Sequence, residues 1–71
     1  MHLLKKFIVI VHKEDDMYVA ECPEIGTISQ GTTFEESIDN LKEATELYLE
    51  EFPIENEKDY FIASIDVKTT A

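Results

Sequence analysis

The hydrophobic and polar positions along the chain fall into blocks that predict the element order β-β-β-α-β. Short runs rich in β-branched residues indicate strands, whereas apolar residues at steps of three and four indicate a helix. The helical pattern is the longest, with a threonine before it and a proline after it. The predicted elements are strands at Leu3–His12, Met17–Cys22 and Thr27–Gln30, a helix at Phe34–Phe52 and a final strand at Phe61–Val67.

The predicted helix has a start signal and one apolar stripe. Thr33 can cap an early backbone N–H while Glu36 reaches back, which is the pattern of a capping box. Gly31, just before this cap, is expected at a positive φ. At about 100° per residue, one side of the helix carries Phe34, Ile38, Leu41, Thr45, Tyr48 and Phe52.

The order of the elements restricts the topology. Short turns between the first three strands predict an antiparallel meander, and the helix then returns the chain in a right-handed crossover to a parallel fourth strand. Because Phe7–Val11 is apolar on both faces, the first strand needs two neighbours, which gives the sheet order 3-2-1-4. One helix covers only one face, so Ile8 and Ile10 are expected on a face that a homodimer or larger homo-oligomer covers.

Length and composition indicate one small domain over residues 1–71. Apolar residues make up 44% and charged residues 31%, as in a folded domain. No apolar run has the roughly 20 residues of a membrane span. Phe7–Val11 is also too short for a signal peptide and is followed by charged residues, so a cytoplasmic location is expected. The single Cys22 allows no internal disulfide.

Negative charge is the strongest feature of the composition. The net charge is −10, and all 16 acids except Asp66 lie between Glu14 and Asp59, where only Lys42 and Lys58 oppose them. Nucleic acid is itself densely negative, so direct binding to it is disfavoured. Acidic residues can have no role beyond solubility. The position of the charges must therefore decide whether they have another role.

One side of the predicted helix is a row of carboxylates. Each successive pair is at i,i+3 or i,i+4, where like charges cost about 0.2–0.5 kcal/mol. The row is either a solvated face or a docking surface whose repulsion a basic partner relieves. Leu47, beside the acids, is either a tolerated surface leucine or an anchor for that partner. The acids are Glu36, Asp39, Glu43, Glu46 and Glu50.

Residues able to carry chemistry are not in catalytic patterns. The first strand lacks Asp and Glu, so Asp66 has no evident partner for a two-metal nuclease site. His2 and His12 are ten residues apart on or beside one predicted strand, which is not a metal-ligand spacing such as i,i+4 on a helix. Acids flank Cys22 and disfavour its thiolate. We therefore expect no enzymatic activity, no catalytic residue, no metal and no cofactor.

Three stretches of the sequence together resemble the HicB-like antitoxins. They are YVAECPE at 18–24, SQGTT at 29–33 and EESIDNLKEA at 35–44. The family pattern is a strand ending in C-P-E, an S/T-Q-G-x-T turn and an E-E-A-x-x-N-L-K-E-A helix. The match is strongest over residues 18–52 and implies a partial ribonuclease-H-like fold, in agreement with the order β-β-β-α-β.

The resemblance also implies a function. HicB-like proteins are antitoxins of type II toxin–antitoxin systems and neutralise a HicA-type toxin, an mRNA-cleaving ribonuclease with a catalytic histidine, by direct binding. A toxin that grips RNA must present Lys and Arg, which an acidic surface would match.

Two features depart from the family pattern. The loop at Glu24-Ile25-Gly26 lacks the second proline that the family often has. No C-terminal DNA-binding domain is predicted, so repression of its own operon is not implied. A self-associating regulatory α+β protein without a toxin is the alternative, and an unrecognised enzyme or small-ligand binder is a third possibility.

Overall fold

A computed structural model of the protein describes residues 4–54 and 58–70. Three antiparallel strands, in the sheet order β1-β2-β3, are followed by one helix, so the chain is a small α+β protein. The predicted meander and the helix after it are confirmed. The elements are β1 at Ile10–Glu14, β2 at Met17–Cys22, β3 at Thr27–Gly31 and α1 at Phe34–Glu51.

Strand β1 begins and ends later than the predicted strand Leu3–His12. It continues to Glu14, which pairs with Met17 on β2, so that Asp15 and Asp16 alone form the turn. Asp15 has a φ of 53°, a left-handed conformation that Asp tolerates better than most residues. The pairing extends further because this short turn needs only two residues.

The other end of the ladder stops at Ile10 because the chain turns away after β2. Pro23 has no N–H to donate. The carbonyl oxygen of Cys22 accepts from the N–H groups of Ile25 (3.2 Å) and Gly26 (2.7 Å) instead of from a neighbouring strand. The described residues before β1 therefore form no strand.

A small core lies between the helix and the sheet. The helix lies mainly across β3 and β2 and touches β1 little. The hydroxyl oxygens of Thr27 on β3 and Thr45 on α1 are 2.7 Å apart, which gives this contact a hydrogen bond. Ala20, Cys22 and Leu41 are buried, and Phe7, Val11 and Ile25 are partly buried against them.

The side of the helix that faces the sheet matches the predicted apolar stripe only in part. Leu41 and Thr45 are buried as predicted, but the third buried residue is Ser37. Phe34 and Phe52, which the stripe placed at its two ends, are about half exposed. The predicted stripe was therefore correct in the middle of the helix and wrong at both ends.

Gly31 explains why Ser37 is buried. A Cβ atom on Gly31 would lie 2.6 Å from the backbone nitrogen of Ser37, so the start of the helix packs directly against the backbone of β3. The positive φ expected at Gly31 is found at Gly26 instead, at 93°. Small residues at a close contact, rather than the largest apolar ones, set the rotation of the helix.

The predicted final strand at Phe61–Val67 is not seen as a strand. Residues 58–70 form neither helix nor strand, and every one of them is exposed. The radius of gyration is 14.5 Å, whereas a compact chain of this length has about 11 Å. The crossover to a parallel fourth strand, and with it the order 3-2-1-4, is thus not part of the described structure.

Candidate partner-binding surfaces

The start of the helix is fixed by a reciprocal pair of hydrogen bonds. The N–H of Glu36 donates to Oγ1 of Thr33 at 3.0 Å, as the capping box predicts. The carboxylate of Glu36 accepts from the N–H of Thr32 at 2.7 Å, one residue earlier than the cap residue itself. This carboxylate is therefore engaged in holding the helix start and is the least available of the predicted partner-binding acids.

The other predicted acids form an exposed row along the helix, which we call the acidic face. Within the described residues, none of these carboxylates makes an ion pair. Lys42, the only basic residue of the helix, is exposed as well and reaches none of them at ion-pair distance. Repulsion along the row is thus relieved only by solvent. The acidic face consists of Asp39, Glu43, Glu46 and Glu50.

The end of the helix adds to this unrelieved charge. Glu50 and Glu51 lie in the last turn, which carries no basic residue. The last carbonyl groups of a helix carry a partial negative charge, so acids there are unfavourable and cations are favourable. A positively charged group from outside the chain would therefore be stabilised by both the carboxylates and the helix end.

Leu47 lies beside the acidic face. Its side chain is 58% exposed and thus stays outside the core. On a helix it neighbours Glu43 and Glu50, four residues before it and three after it. The arrangement puts one apolar side chain within a negative surface, as a combined apolar and ionic contact would require.

The sequence interpretation missed an apolar surface at the end of the helix. The sequence places Tyr48 and Phe52 in the core stripe, but both are about half exposed and their ring centroids lie 5.0 Å apart. A helix of 18 residues spans about 27 Å, whereas strands of 5 or 6 residues span about 17–20 Å. The helix is thus longer than the strands, as the predicted element lengths already indicate, and its end lies beside Glu24 and Ile25 of the β2–β3 loop.

The sheet face opposite the helix is uncovered. Strand pairing puts Ile10, Glu21 and Ile28 side by side on this face, and Ile10 and Ile28 are both more than half exposed. Ile10 thus lies on the uncovered face, with the charged Glu21 between it and Ile28. Ile8 is half-buried, and its N–H donates to Oε1 of Glu24 at 2.8 Å.

A cleft of about 360 Å³ lies on the helix-covered side of the sheet, next to β1. It is present because the helix sits over β2 and β3 and leaves the β1 side of the same face open. Its walls are mostly apolar, with two charged residues of the helix among them. We call it the β1 cleft; it is lined by Leu4, Lys5, Phe7, Val9, Cys22, Ile38, Leu41, Lys42, Thr45 and Glu46.

Reactive side chains are not grouped in the part of the chain that the structure describes. Cys22 is buried in the core, with no acid or base bonded to it. His12 lies 3.4 Å from Glu14 on the exposed surface of β1. Across residues 4–54 and 58–70, no three His, Cys, Asp or Glu side chains come together in a way that would hold a metal ion.

The length and composition of the helix also bear on whether it could cross a membrane. Among the described residues, no helix combines the length and the apolar character that crossing a bilayer requires.

Sequence relatives show the family to which the chain belongs. The chain is 47% identical over 53 residues to the UPF0150 protein ssr1765 of Synechocystis sp., covering 72% of this chain and 67% of that protein. It is 36% identical over 64 residues to a UPF0150 protein of Helicobacter pylori, covering 82% and 89%. The chain belongs to the UPF0150 family. A third UPF0150 protein, Ta0767 of Thermoplasma acidophilum, is 38% identical over 56 residues, which is 78% of this chain and 81% of that one.

The matches to these UPF0150 relatives cover 72–82% of this chain, but the names of the relatives state no activity, ligand or partner. No family model matches the chain. No solved structure matches it either.

Proposed function

We propose that this UPF0150 protein is a HicB-like antitoxin module that binds and masks a basic ribonuclease of the HicA type. The observation that carries the proposal is the acidic face, a row of exposed carboxylates with no ion pair among the described residues. The resemblance of residues 18–52 to HicB-like antitoxins supplies the kind of partner. The module acts by occupying the surface with which the toxin grips RNA.

Electrostatics favours this partner in two ways. The net charge of −10 attracts a basic protein from a distance and speeds encounter. At contact, Lys and Arg groups of the toxin relieve the repulsion within the row and the unfavourable acids at the helix end. Leu47 provides an apolar contact amid these charges.

The proposed functional form also has the fourth strand. Residues 61–67 alternate between apolar and polar side chains, and β1 is an edge strand with a free side. A strand added there gives the order 3-2-1-4 and completes a partial ribonuclease-H-like sheet. The open face with Ile8 and Ile10 remains a candidate contact between copies in a homo-oligomer.

Binding to the toxin tests the proposal directly. The candidate partner is the product of the adjacent open reading frame. The proposal predicts that this product is a small basic protein and that its growth arrest is relieved when both are co-expressed. The association rate of the purified pair should fall steeply as salt rises from 50 to 500 mM, because screening removes the attraction between exposed charges. A rate that stays constant across this range would contradict electrostatic steering.

A matched pair of charge reversals locates the surface. Glu43→Lys changes the middle of the acidic face, whereas Glu14→Lys makes the same charge change at the exposed end of β1. If the acidic face binds the toxin, Glu43→Lys should weaken the complex by a factor of about 10 or more and Glu14→Lys by much less. Equal losses would indicate that only net charge matters and that the contact lies elsewhere.

The alternative function is a self-associating regulatory protein without a toxin. The uncovered sheet face around Ile10 and Ile28 favours this second candidate, because self-association would cover it. Absence of any growth-arresting neighbour, together with a stable homo-oligomer, would support it over the antitoxin.

A further inference from the structure

The chain has an unfilled apolar cleft and an exposed apolar segment that would fit such a cleft. The first is the β1 cleft, an apolar space of about 360 Å³ at the free edge of the sheet. The second is the segment at residues 60–67, which is rich in apolar side chains but is exposed. We call this segment the tail.

The tail has the pattern of a strand with one apolar side. In an extended chain, successive side chains point to opposite faces. One side of the tail therefore carries Phe61, Ala63, Ile65 and Val67, and the other carries Ile62, Ser64 and Asp66. Phe61 is 90% exposed and Ile62 is 79% exposed, so both sides of the tail, including the more apolar one, face solvent.

The β1 cleft is where a strand next to β1 would place one of its two sides. Val11 of β1 pairs with Ala20 of β2, which is buried beneath the helix, so this register defines the helix-covered side. Phe7 and Val9, which precede β1, line the cleft together with Leu41 of the helix. A tail strand at this edge would direct Phe61, Ile65 and Val67 into that space.

The tail does not occupy the cleft of its own chain. Its first residue, Tyr60, lies near Ile8 and Glu24 and lines a surface hollow with them, whereas the residues after it are exposed. The largest extent of the molecule is 50 Å, against 29 and 16 Å in the other directions, as a tail directed away from the sheet would produce. Each copy therefore has an unfilled cleft and an unburied tail.

We propose that two copies exchange tails, so that residues 60–67 of each copy form the fourth strand beside β1 of the other. Exchange of an identical element is a common route to symmetric dimers and fills both clefts at once. It also pairs both exposed β1 edges, which otherwise invite aggregation. The inference rests on the fourth strand proposed above and is independent of the toxin.

The mass of the protein in solution, measured by light scattering during size-exclusion chromatography, tests the dimer. The expected mass is twice the 8.2 kDa of one chain at micromolar concentration. Ile65→Lys puts a charge on the side of the tail that enters the cleft, whereas its neighbour Ser64→Lys puts the same charge on the other side. Ile65→Lys should lower the dimer affinity by a factor of about 10 or more, and Ser64→Lys should leave it nearly unchanged.

Cross-linking then determines which chain supplies the strand. Unlabelled and nitrogen-15-labelled protein are unfolded together, refolded and treated with a lysine-reactive cross-linker. Lys68 follows the tail directly and Lys13 lies on β1. Tail exchange predicts Lys13–Lys68 cross-links that join a labelled chain to an unlabelled one in the dimer fraction.

The other outcomes overturn the inference in different ways. A monomer with a Lys13–Lys68 link within one chain would mean that the fourth strand forms in the same copy. A dimer lost in Ile10→Lys but retained in Ile65→Lys would mean that the open sheet face joins the copies. A monomer whose tail is cleaved rapidly by protease would contradict both the exchange and the fourth strand.

Discussion

The helix covers the two edges of the sheet to different extents. At the β3 edge, Gly31 and Ser37 allow backbone to approach backbone, and the helix covers the strand. At the β1 edge, larger residues such as Phe7 and Val9 face a cleft that the helix does not reach. Small residues allow the helix to cover one edge within a single chain, whereas the other edge is left open by the helix.

The comparison predicts that stability is concentrated where the helix covers the sheet. Leu41→Ala, in the centre of the core, should lower the free energy of unfolding by about 2–4 kcal/mol because it leaves a cavity under the helix. Leu47→Ala makes the same change on the exposed side of the same helix and should cost less than about 1 kcal/mol. Urea titration monitored by circular dichroism measures both. Similar losses would mean that Leu47 is buried in solution.

The close contact at Gly31 should be the next most sensitive position. Gly31→Ala places a methyl group 2.6 Å from the nitrogen of Ser37, so the helix start must move, at a cost of about 1–3 kcal/mol. Gly26→Ala is the control: there is open space around its Cβ, and only the positive φ opposes it, at about 1–2 kcal/mol. Amide chemical shifts provide the sharper distinction, because only Gly31→Ala should displace the first turn of the helix. If neither variant perturbs that turn, the contact is looser than described.

The helix cap should have a moderate effect. Thr33→Ala removes the hydroxyl that accepts from the N–H of Glu36 and should cost about 1 kcal/mol in thermal or urea unfolding. Thr32→Ala keeps the backbone N–H that binds the carboxylate of Glu36 and loses only a 3.3 Å side-chain contact, so its effect should be smaller. The reverse order would show that the side chain of Thr32, rather than that of Thr33, caps the helix.

A substitution in the acidic face should have the smallest effect on stability. It should stabilise the protein, whereas the substitutions above destabilise it. Glu43→Gln removes repulsion with Asp39 and Glu46 and should stabilise the isolated protein by a few tenths of a kcal/mol, up to about 1 kcal/mol, at low salt. The gain should shrink in 0.5 M salt because screening already weakens these exposed pairs. A loss of stability at both salt concentrations would mean that Glu43 has a favourable partner within the chain.

Local signals in the sequence predicted much of the sheet and helix. The bounds of β2, the Thr33 cap and the length of the helix followed from Pro23, the capping pattern and Pro53, which act through neighbouring residues. The rotation of the helix did not follow, because it depends on the contact between Gly31 and Ser37 rather than on apolar spacing.

The edges of the sheet were harder to predict than its centre. An apolar run such as Phe7–Val11 shows that a segment favours a strand, but pairing also requires a neighbour, and β2 ends before it can serve residues 4–9. The pattern of Phe61–Val67 also favours a strand, but in the described structure no strand pairs with it. For the candidate surfaces, helical spacing was enough to predict the acidic row, whereas the β1 cleft depends on where the helix lies across the sheet.

The hydroxyl pair of Thr27 and Thr45 has a consequence for the orientation of the charged row. Close packing at Gly31 and Ser37 sets the rotation of the helix, and the hydrogen bond of 2.7 Å adds a directional contact between helix and sheet. The two contacts together favour one orientation of the helix, in which the row of carboxylates lies on the side away from the sheet. An incoming protein meets a preset array of charges and has less ordering entropy to overcome.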